Sequence, residues 1–322
     1  MKILVTGGAG YIGAHIVRLL QHRGDDVVIV DDLVSGSGAR VADLPVHVLD
    51  LTADSAIETL VALMAEHRIE AVVHLAARKR VDESVRRPAW YFAQNIGGLA
   101  SVLEAMQQAG VDKLLFSSSA AVYGATEGDA ITEEAETVPI NPYGETKLIG
   151  ERLVTAAAEA FRLRAVSLRY FNVAGAGWPE LGDAAALNLI PMVFERLDAG
   201  LPPQIFGTDY PTADGSCVRD YVHVLDIADA HLVALDSLDG THQGHEIYNV
   251  GTGHGTSVRE LVDLMCEVAG YTGPVEECPR RAGDPASVVA SARLIGDRLG
   301  WQGRHSTRDM VESAWNAHHK AQ

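Results

Sequence analysis

The stretch Lys2-Ile3-Leu4-Val5-Thr6-Gly7-Gly8-Ala9-Gly10-Tyr11-Ile12-Gly13 decides the fold. Its first five residues form an apolar, β-branched run that glycines stop, which predicts a short buried strand. From Ile12 to Arg23 the apolar residues Ile12, Ile16, Leu19 and Leu20 recur at helical spacing. Gly7, Gly10 and Gly13 therefore stand between a strand and a helix at the spacing G-x-x-G-x-x-G. One such glycine makes the tight turn, one lets backbone approach a pyrophosphate, and one lets the helix pack closely on the strand. The helix that opens at Tyr11 and Ile12 offers N–H groups and a partial positive charge to phosphates. A dinucleotide site at the first strand–helix junction is the expectation.

The next run, Asp26–Val30, ends in Asp31-Asp32, with Asp31 eighteen residues beyond Gly13. A carboxylate at that strand end accepts from both ribose hydroxyls of an adenosine. It also repels a 2′-phosphate by about 3–4 kcal/mol at ~4–5 Å in a medium of effective dielectric near 20. Asp32 is expected to add to that repulsion, so NAD is favoured over NADP. Val46–Leu49, Ala71–Leu75, Lys113–Ser117 and Arg164–Arg169 are further short apolar runs with helical stretches between them. Such runs predict an α/β fold, a doubly wound parallel sheet of Rossmann type. Asp50-Leu51 and Leu75-Ala76-Ala77 would lie at its carboxyl edge beside the cofactor, and His74 reads as a core histidine. Beyond Tyr170, Gly/Pro-rich stretches interrupt shorter elements. The predicted division is an NAD-binding domain over 1–170 and a smaller substrate-binding lobe over 171–322, some segments returning to the first domain.

Composition narrows the class. With 47% hydrophobic and 21% charged residues among 322, the chain has the make-up of an ordinary globular protein. A formal net charge of −17 argues against nucleic acid and anionic membrane surfaces. Cys217, Cys266 and Cys278 are odd in number and lack metal-ligand spacing, so they read as reduced thiols, and no metal is expected. The apolar run after Lys2 is too short for a secretory signal, and no stretch approaches a membrane span. A cytoplasmic location is the expectation. His318-His319 reads as a solvated tail.

Two segments carry the chemistry: Phe116-Ser117-Ser118-Ser119-Ala120-Ala121-Val122-Tyr123-Gly124 after a strand, and Pro142-Tyr143-Gly144-Glu145-Thr146-Lys147 opening a helix. Tyr143 and Lys147, four residues apart, share a helix face. A phenol with a pKa near 10 is too weakly acidic to serve as a base at neutral pH. A neighbouring ammonium and an oxidised nicotinamide both favour the phenolate, at a demand of about 4 kcal/mol. Ser119 would share the same substrate oxygen and relay its proton.

The glycine loop, the serine-rich strand end and the Tyr143/Lys147 pair resemble the extended short-chain dehydrogenases/reductases acting on nucleotide sugars. Arg169-Tyr170-Phe171-Asn172-Val173-Ala174-Gly175, Val218-Arg219-Asp220-Tyr221-Val222-His223 and Pro279-Arg280-Arg281-Ala282-Gly283-Asp284 look like the UDP-galactose (UDP-glucose) 4-epimerase group in particular. The resemblance runs from about residue 1 to 316. It implies that Ser119, Tyr143 and Lys147 are catalytic and that Lys79, Asn95, Ser117 and Tyr170 join the NAD site. It also implies that Asn172, Asn188, Arg219, Tyr221, Arg281 and Asp284 meet a UDP-sugar. The guanidinium fork suits the diphosphate, and Asp284 suits the uridine ribose. Tyr143 would take the proton of the sugar 4-OH as hydride leaves C4 for NAD. The 4-keto sugar would turn and take hydride back on its other face. A homodimer through the helical runs Trp90–Gln108 and Tyr143–Ala160 is also implied.

The chain departs from the family's pattern at Ala121, where a threonine hydroxyl often helps hold the substrate. Val288 matches a position that gates the sugar end of the pocket and leaves intermediate room. A 4,6-dehydratase would need an Asp-Glu pair where Ala120-Ala121 stand, and alanines transfer no protons. A 4-epimerase for UDP-N-acetylglucosamine or UDP-glucuronate would share every motif. A catalytically silent NAD sensor would typically have lost Tyr143 or Lys147.

Overall fold

The computed structural model describes residues 1–125, 130–183, 185, 188–240, 244–281 and 284–320. Along the chain run β1 (Lys2–Thr6), α1 (Tyr11–Arg23), β2 (Asp26–Asp31), β3 (Val46–Val48), α2 (Ala56–His67) and β4 (Ala71–His74). Then come α3 (Val81–Arg86), α4 (Pro88–Phe92), α5 (Gly98–Ala109), β5 (Lys113–Ser117), α6 (Pro142–Phe161) and β6 (Arg164–Tyr170). Beyond them lie β7 (Asn172–Ala174), α7 (Leu189–Asp198), β8 (Gln204–Phe206), β9 (Val218–His223), α8 (Val224–Ser237) and β10 (Gly244–Val250). The chain closes with β11 (Gly255–Ser257), α9 (Val258–Ala269), β12 (Glu276–Cys278), β13 (Ser287–Val288), α10 (Arg293–Leu299) and α11 (Thr307–Lys320).

The chain folds as two compact units. The first comprises Met1–Gly124, Thr137–Arg169 and Ala228–Tyr248. It is organised by a seven-stranded sheet of order β10-β6-β5-β4-β1-β2-β3. Adjacent pairs from β3 to β6 are parallel. The chain winds outward from β1 to β3 and then, from β4, the other way to β6. The order therefore reverses between β1 and β4, the switch point at which such sheets bind ligands beyond their carboxyl ends. Leu4, Val28 and Val72 lie in one core cluster with Leu60 and Met64 of α2, Val102 and Met106 of α5, and Val154 of α6. Continuous burial of the central strands explains why they read as unbroken apolar runs. His74 is buried, bonds the Thr6 hydroxyl at 2.7 Å and stacks on Phe116, as a core histidine should.

The second unit comprises Ala125–Glu136, Tyr170–Ile227 and Asn249–Gln322. Its central strand β9 pairs with β7 and β13 in parallel and with β11 antiparallel. A second small sheet pairs β8 with β12. Phe194, Ile205, Leu261, Met265 and Met310 build its core. Asp220 is buried on β9 and fastens the loop after β10, accepting from Thr252 N, Gly253 N and Ala290 N at 2.8–3.2 Å.

Two expectations need correction. The run Trp90–Gln108 is not one helix: Ala93–Gly97 forms a π-helical turn between α4 and α5. The wider turn buries Asn95, and such turns recur at functional positions. His318-His319 is not a free tail but part of the end of α11, with His319 exposed. His318 bonds Asp198 at 2.5 Å and lies 5.6 Å from the Phe194 ring, while Trp315 meets His319 edge-on at 3.9 Å.

Candidate functional site

In the first unit the glycine loop has the geometry its spacing implies. Gly7 has φ +74°, which side chains rarely adopt, and a Cβ there would stand 2.7 Å from Ala76 N after β4. A Cβ on Gly13 would stand 2.2 Å from the Gly7 carbonyl oxygen, so only glycine lets α1 start this close to β1. Gly10 caps α1 in extended conformation, and Tyr11 and Ile12 begin the helix, whose first-turn N–H groups point out of its N-terminus. This is a cradle for a pyrophosphate, and its glycines are the ones that a side chain would fill.

Asp31 ends β2 with 7% exposure and is held by the loop itself, accepting from Ala9 N at 3.0 Å and Leu33 N at 2.9 Å. Burial raises its carboxyl above the ordinary range, and these two backbone bonds pull it back. Asp32, expected to add to the repulsion, has its carboxylate ion-paired with Arg78. Asp50, after β3, turns back to Thr52, accepting from its N–H at 2.8 Å and its hydroxyl at 2.7 Å. Leu51 places its side chain in the core, where it packs on Gly98. Leu75 and Ala76 continue β4 by donating to the Thr6 carbonyl at 3.0 and 3.1 Å, with Ala77 and the exposed Lys79 following. Asn95 spends its amide within the chain: it accepts from Arg78 N at 2.8 Å and donates to the Arg78 carbonyl and to Thr146 Oγ1.

The catalytic candidates come together in the same unit. Asn141 caps α6 by accepting from Gly144 N at 2.9 Å, and Pro142 supplies the pre-set first helical position. A Cβ on Gly144 would lie 2.5 Å from the Ala121 carbonyl oxygen, so the helix start rests on the serine-rich turn. Ser119 caps that turn, accepting from Ala121 N at 3.2 Å, and its hydroxyl is near enough to the Tyr143 phenol to lower its pKa. One helical turn on, the buried Lys147 donates to the Ser117 carbonyl at 2.8 Å, and its Nζ lies 5.9 Å from the Tyr143 ring centre. The Ser117 hydroxyl meets His231 at 3.2 Å.

The surrounding protein raises Tyr143 above its ordinary value, and the bond from Ser119 works against that. Burial draws Lys147 down to about 8, with Glu151 opposing. Glu151 is a further residue of this helix face that sequence reasoning missed, although its spacing from Lys147 repeats that from Tyr143 to Lys147. It forms a buried pair with Arg169 and accepts from Ser118 Oγ at 2.5 Å. Arg78 and Gln94 were missed as well, because no spacing in the sequence joins them to Asp32.

In the second unit, Asn172 and Tyr221 face each other in register across β7 and β9, and Val288 of β13 is in register with Arg219. Arg219 donates to Asp284 at 2.8 Å, so the two residues expected at the diphosphate and the ribose are themselves paired. Tyr221 packs in the core cluster of this unit, and burial raises its phenol. Arg281 lies with its guanidinium 4.2 Å from the Phe206 ring centre. Asn188 stands apart from this group at the N-terminus of α7 and donates to Asp183 at 2.8 Å. Tyr170 is the last residue of β6. Ala282 and Gly283 lie outside the described residues.

Comparison with known proteins agrees with this geometry. Residues 3–251 match the NAD dependent epimerase/dehydratase family. A UDP-glucose 4-epimerase of Azospirillum brasilense is 45% identical over 319 residues, covering 97% of this chain and 90% of its own. That of Halalkalibacterium halodurans is 42% identical over 323 residues, covering 99% and 96%. The crystal structure of a UDP-glucose 4-epimerase from Stenotrophomonas maltophila, with bound NAD and formylated UDP-arabinopyranose, superposes with a TM-score of 0.94 at 41% identity, covering 100% of this chain and 98% of its own. The chain belongs to the NAD dependent epimerase/dehydratase family.

Proposed function

We propose that this protein is an NAD-dependent 4-epimerase interconverting UDP-galactose and UDP-glucose. The observation that carries the reading is the placement of Ser119, Tyr143 and Lys147 around one strand end in the unit that holds the glycine cradle. NAD, when bound, would supply the hydride acceptor and donor for the sugar C4. Gly7, Gly10 and Gly13 would hold its diphosphate, and Asp31 would accept from its adenosine ribose.

The protein's own residues handle the proton. Tyr143 removes it from the 4-OH and gives it back, and the neighbouring Ser119 hydroxyl relays it. Lys147 holds a positive charge one turn away, fixed by the Ser117 carbonyl. Since burial raises the phenol, the positive charge of the oxidised cofactor is needed to bring it toward neutrality. Positioning and electrostatics supply most of the barrier reduction.

Arg219 and Arg281 are assigned to the UDP diphosphate, Asp284 to the uridine ribose, and Asn172, Asn188 and Tyr221 to the remaining substrate contacts. Lys79, Asn95, Ser117 and Tyr170 are assigned to the cofactor, Asn95 acting by shaping the turn at Arg78. The first unit is assigned to the cofactor and the second mainly to the UDP-sugar. Self-association through α5 and α6 is part of the reading. It is supported by half-buried Ile149 and Leu153 beside exposed Ala100, Ala156 and Ala160. A cytoplasmic location is consistent with three free cysteines.

UDP-galactose carrying deuterium at C4 tests the mechanism. Label retained at C4 of the UDP-glucose product supports hydride transfer within one binding event, and label lost to solvent rejects it.

A further inference from the structure

Arg78 gathers the acidic edge of the cofactor site. Its guanidinium pairs with the Asp32 carboxylate and donates to Gln94 Oε1 from both Nε and Nη2, at 3.1 and 2.8 Å. One face of the fork lies over Trp90, 5.3 Å from the ring centre, and Arg87 covers Trp90 at 3.8 Å. The backbone of Arg78 is held at both N–H and carbonyl by Asn95. Gln94 in turn donates to Thr52, which bonds Asp50. The guanidinium is thus fixed on three sides and 14% exposed, with Asp32 occupying the end that forks toward the end of β2. Burial raises Asp31, and the charge of Arg78 offsets a small part of that rise.

A guanidinium fork matches a phosphate as well as it matches a carboxylate. Held this rigidly, it would bind a phosphate with little further loss of side-chain freedom. Resting on the reading that the adenosine ribose is bound at Asp31, we propose that Arg78 and Asp32 form a cofactor-discriminating pair. Asp32 acts as an internal occupant of the fork that would otherwise accept the 2′-phosphate of NADP. Selectivity for NAD then comes from two sources: the repulsion by Asp31, and the capture of the Arg78 fork by Asp32. Removing the Asp32 charge leaves Arg78 in place on Gln94 and Trp90 with its fork open.

The test is a competition read as bound nucleotide. Wild-type, D32N, R78Q and D32N/R78Q proteins are refolded from denaturant in equimolar NAD and NADP and re-isolated. The nucleotides released on denaturation are quantified by chromatography. The pair predicts that D32N raises the NADP:NAD ratio at least tenfold, and that D32N/R78Q returns it most of the way to the wild-type value. It also predicts that R78Q alone lowers the ratio. A D32N ratio equal to wild type overturns the proposal, as does a D32N gain that survives in D32N/R78Q, which would leave only the repulsion by Asp32. An R78Q protein that loses both nucleotides equally has lost a structural residue, and that outcome also overturns it. Should D32N fail to fold, D32S is read by the same ratios. Wild-type protein that takes up neither nucleotide overturns the cofactor reading itself and the pair with it.

Discussion

Glu151 and Arg169 meet as a bidentate ion pair, Nε–Oε1 2.8 Å and Nη2–Oε2 2.6 Å, with side chains 3% and 5% exposed. The remaining groups are satisfied: Ser118 donates to Glu151, and Arg169 donates to the Tyr123 hydroxyl at 2.9 Å. The pair joins the helix of Tyr143 and Lys147 to β6 and to the serine-rich turn. A buried pair adds little over an apolar replacement, but removing one member strands a charge. Arg169→Leu should therefore cost about 3–5 kcal/mol in urea unfolding. A loss below about 1 kcal/mol would show that the pair does not hold the helix.

Tyr143→Phe removes the proton-transferring oxygen and keeps the ring in place. Turnover should fall by about 10²–10⁴-fold, the usual worth of a general acid–base group, with NAD content unchanged. Turnover within a few-fold of wild type would move the proton transfer to another residue.

Gly13→Ala places a methyl 2.2 Å from the Gly7 carbonyl oxygen, a backbone atom that cannot step aside alone. The loop must shift and the phosphate cradle with it. The purified variant should carry at least tenfold less NAD per chain, and full occupancy would contradict the assigned role of this glycine.

Acid stability should bear the mark of His74. Burial, aided by the Lys147 ammonium, lowers its pKa from 6.5 to about 3. Between those values the unfolded chain binds more protons than the folded one. The stability from keeping this ring neutral is therefore complete above about pH 6.5 and is lost as pH falls, at up to about 1.4 kcal/mol per pH unit. His245, lowered to about 4 by burial, adds in the same direction down to that pH. Asp31 and Asp220, raised by burial, act oppositely at lower pH. His74→Asn, whose amide can still face Thr6, should flatten the slope of unfolding free energy between pH 6.5 and about 4.5. An unchanged slope would mean that His74 is not the group being titrated.

Much of this was legible in the sequence, and the reasons are local. Lys2–Thr6, Asp26–Asp31 and Lys113–Ser117 are buried on both faces, so each appears as an unbroken apolar run. β10 was not legible. It is the last strand in the sheet order, and its sequence Gly244-His245-Glu246-Ile247-Tyr248-Asn249-Val250 mixes polar with apolar residues. The glycine spacing and the Tyr143/Lys147 pair were legible because each is set within a single turn of chain. The Arg78–Asp32 pair spans 46 residues of sequence and Glu151–Arg169 joins a helix to a strand, so neither follows from spacing. Burial of the Tyr143 ring, which raises its phenol, is a property that sequence does not report.

The central claim is most directly tested by proton NMR of UDP-galactose mixed with the purified protein and no added NAD. The account predicts conversion to an equilibrium mixture of UDP-galactose and UDP-glucose, driven by retained cofactor. UDP-galactose left unchanged even after NAD is supplied would contradict it.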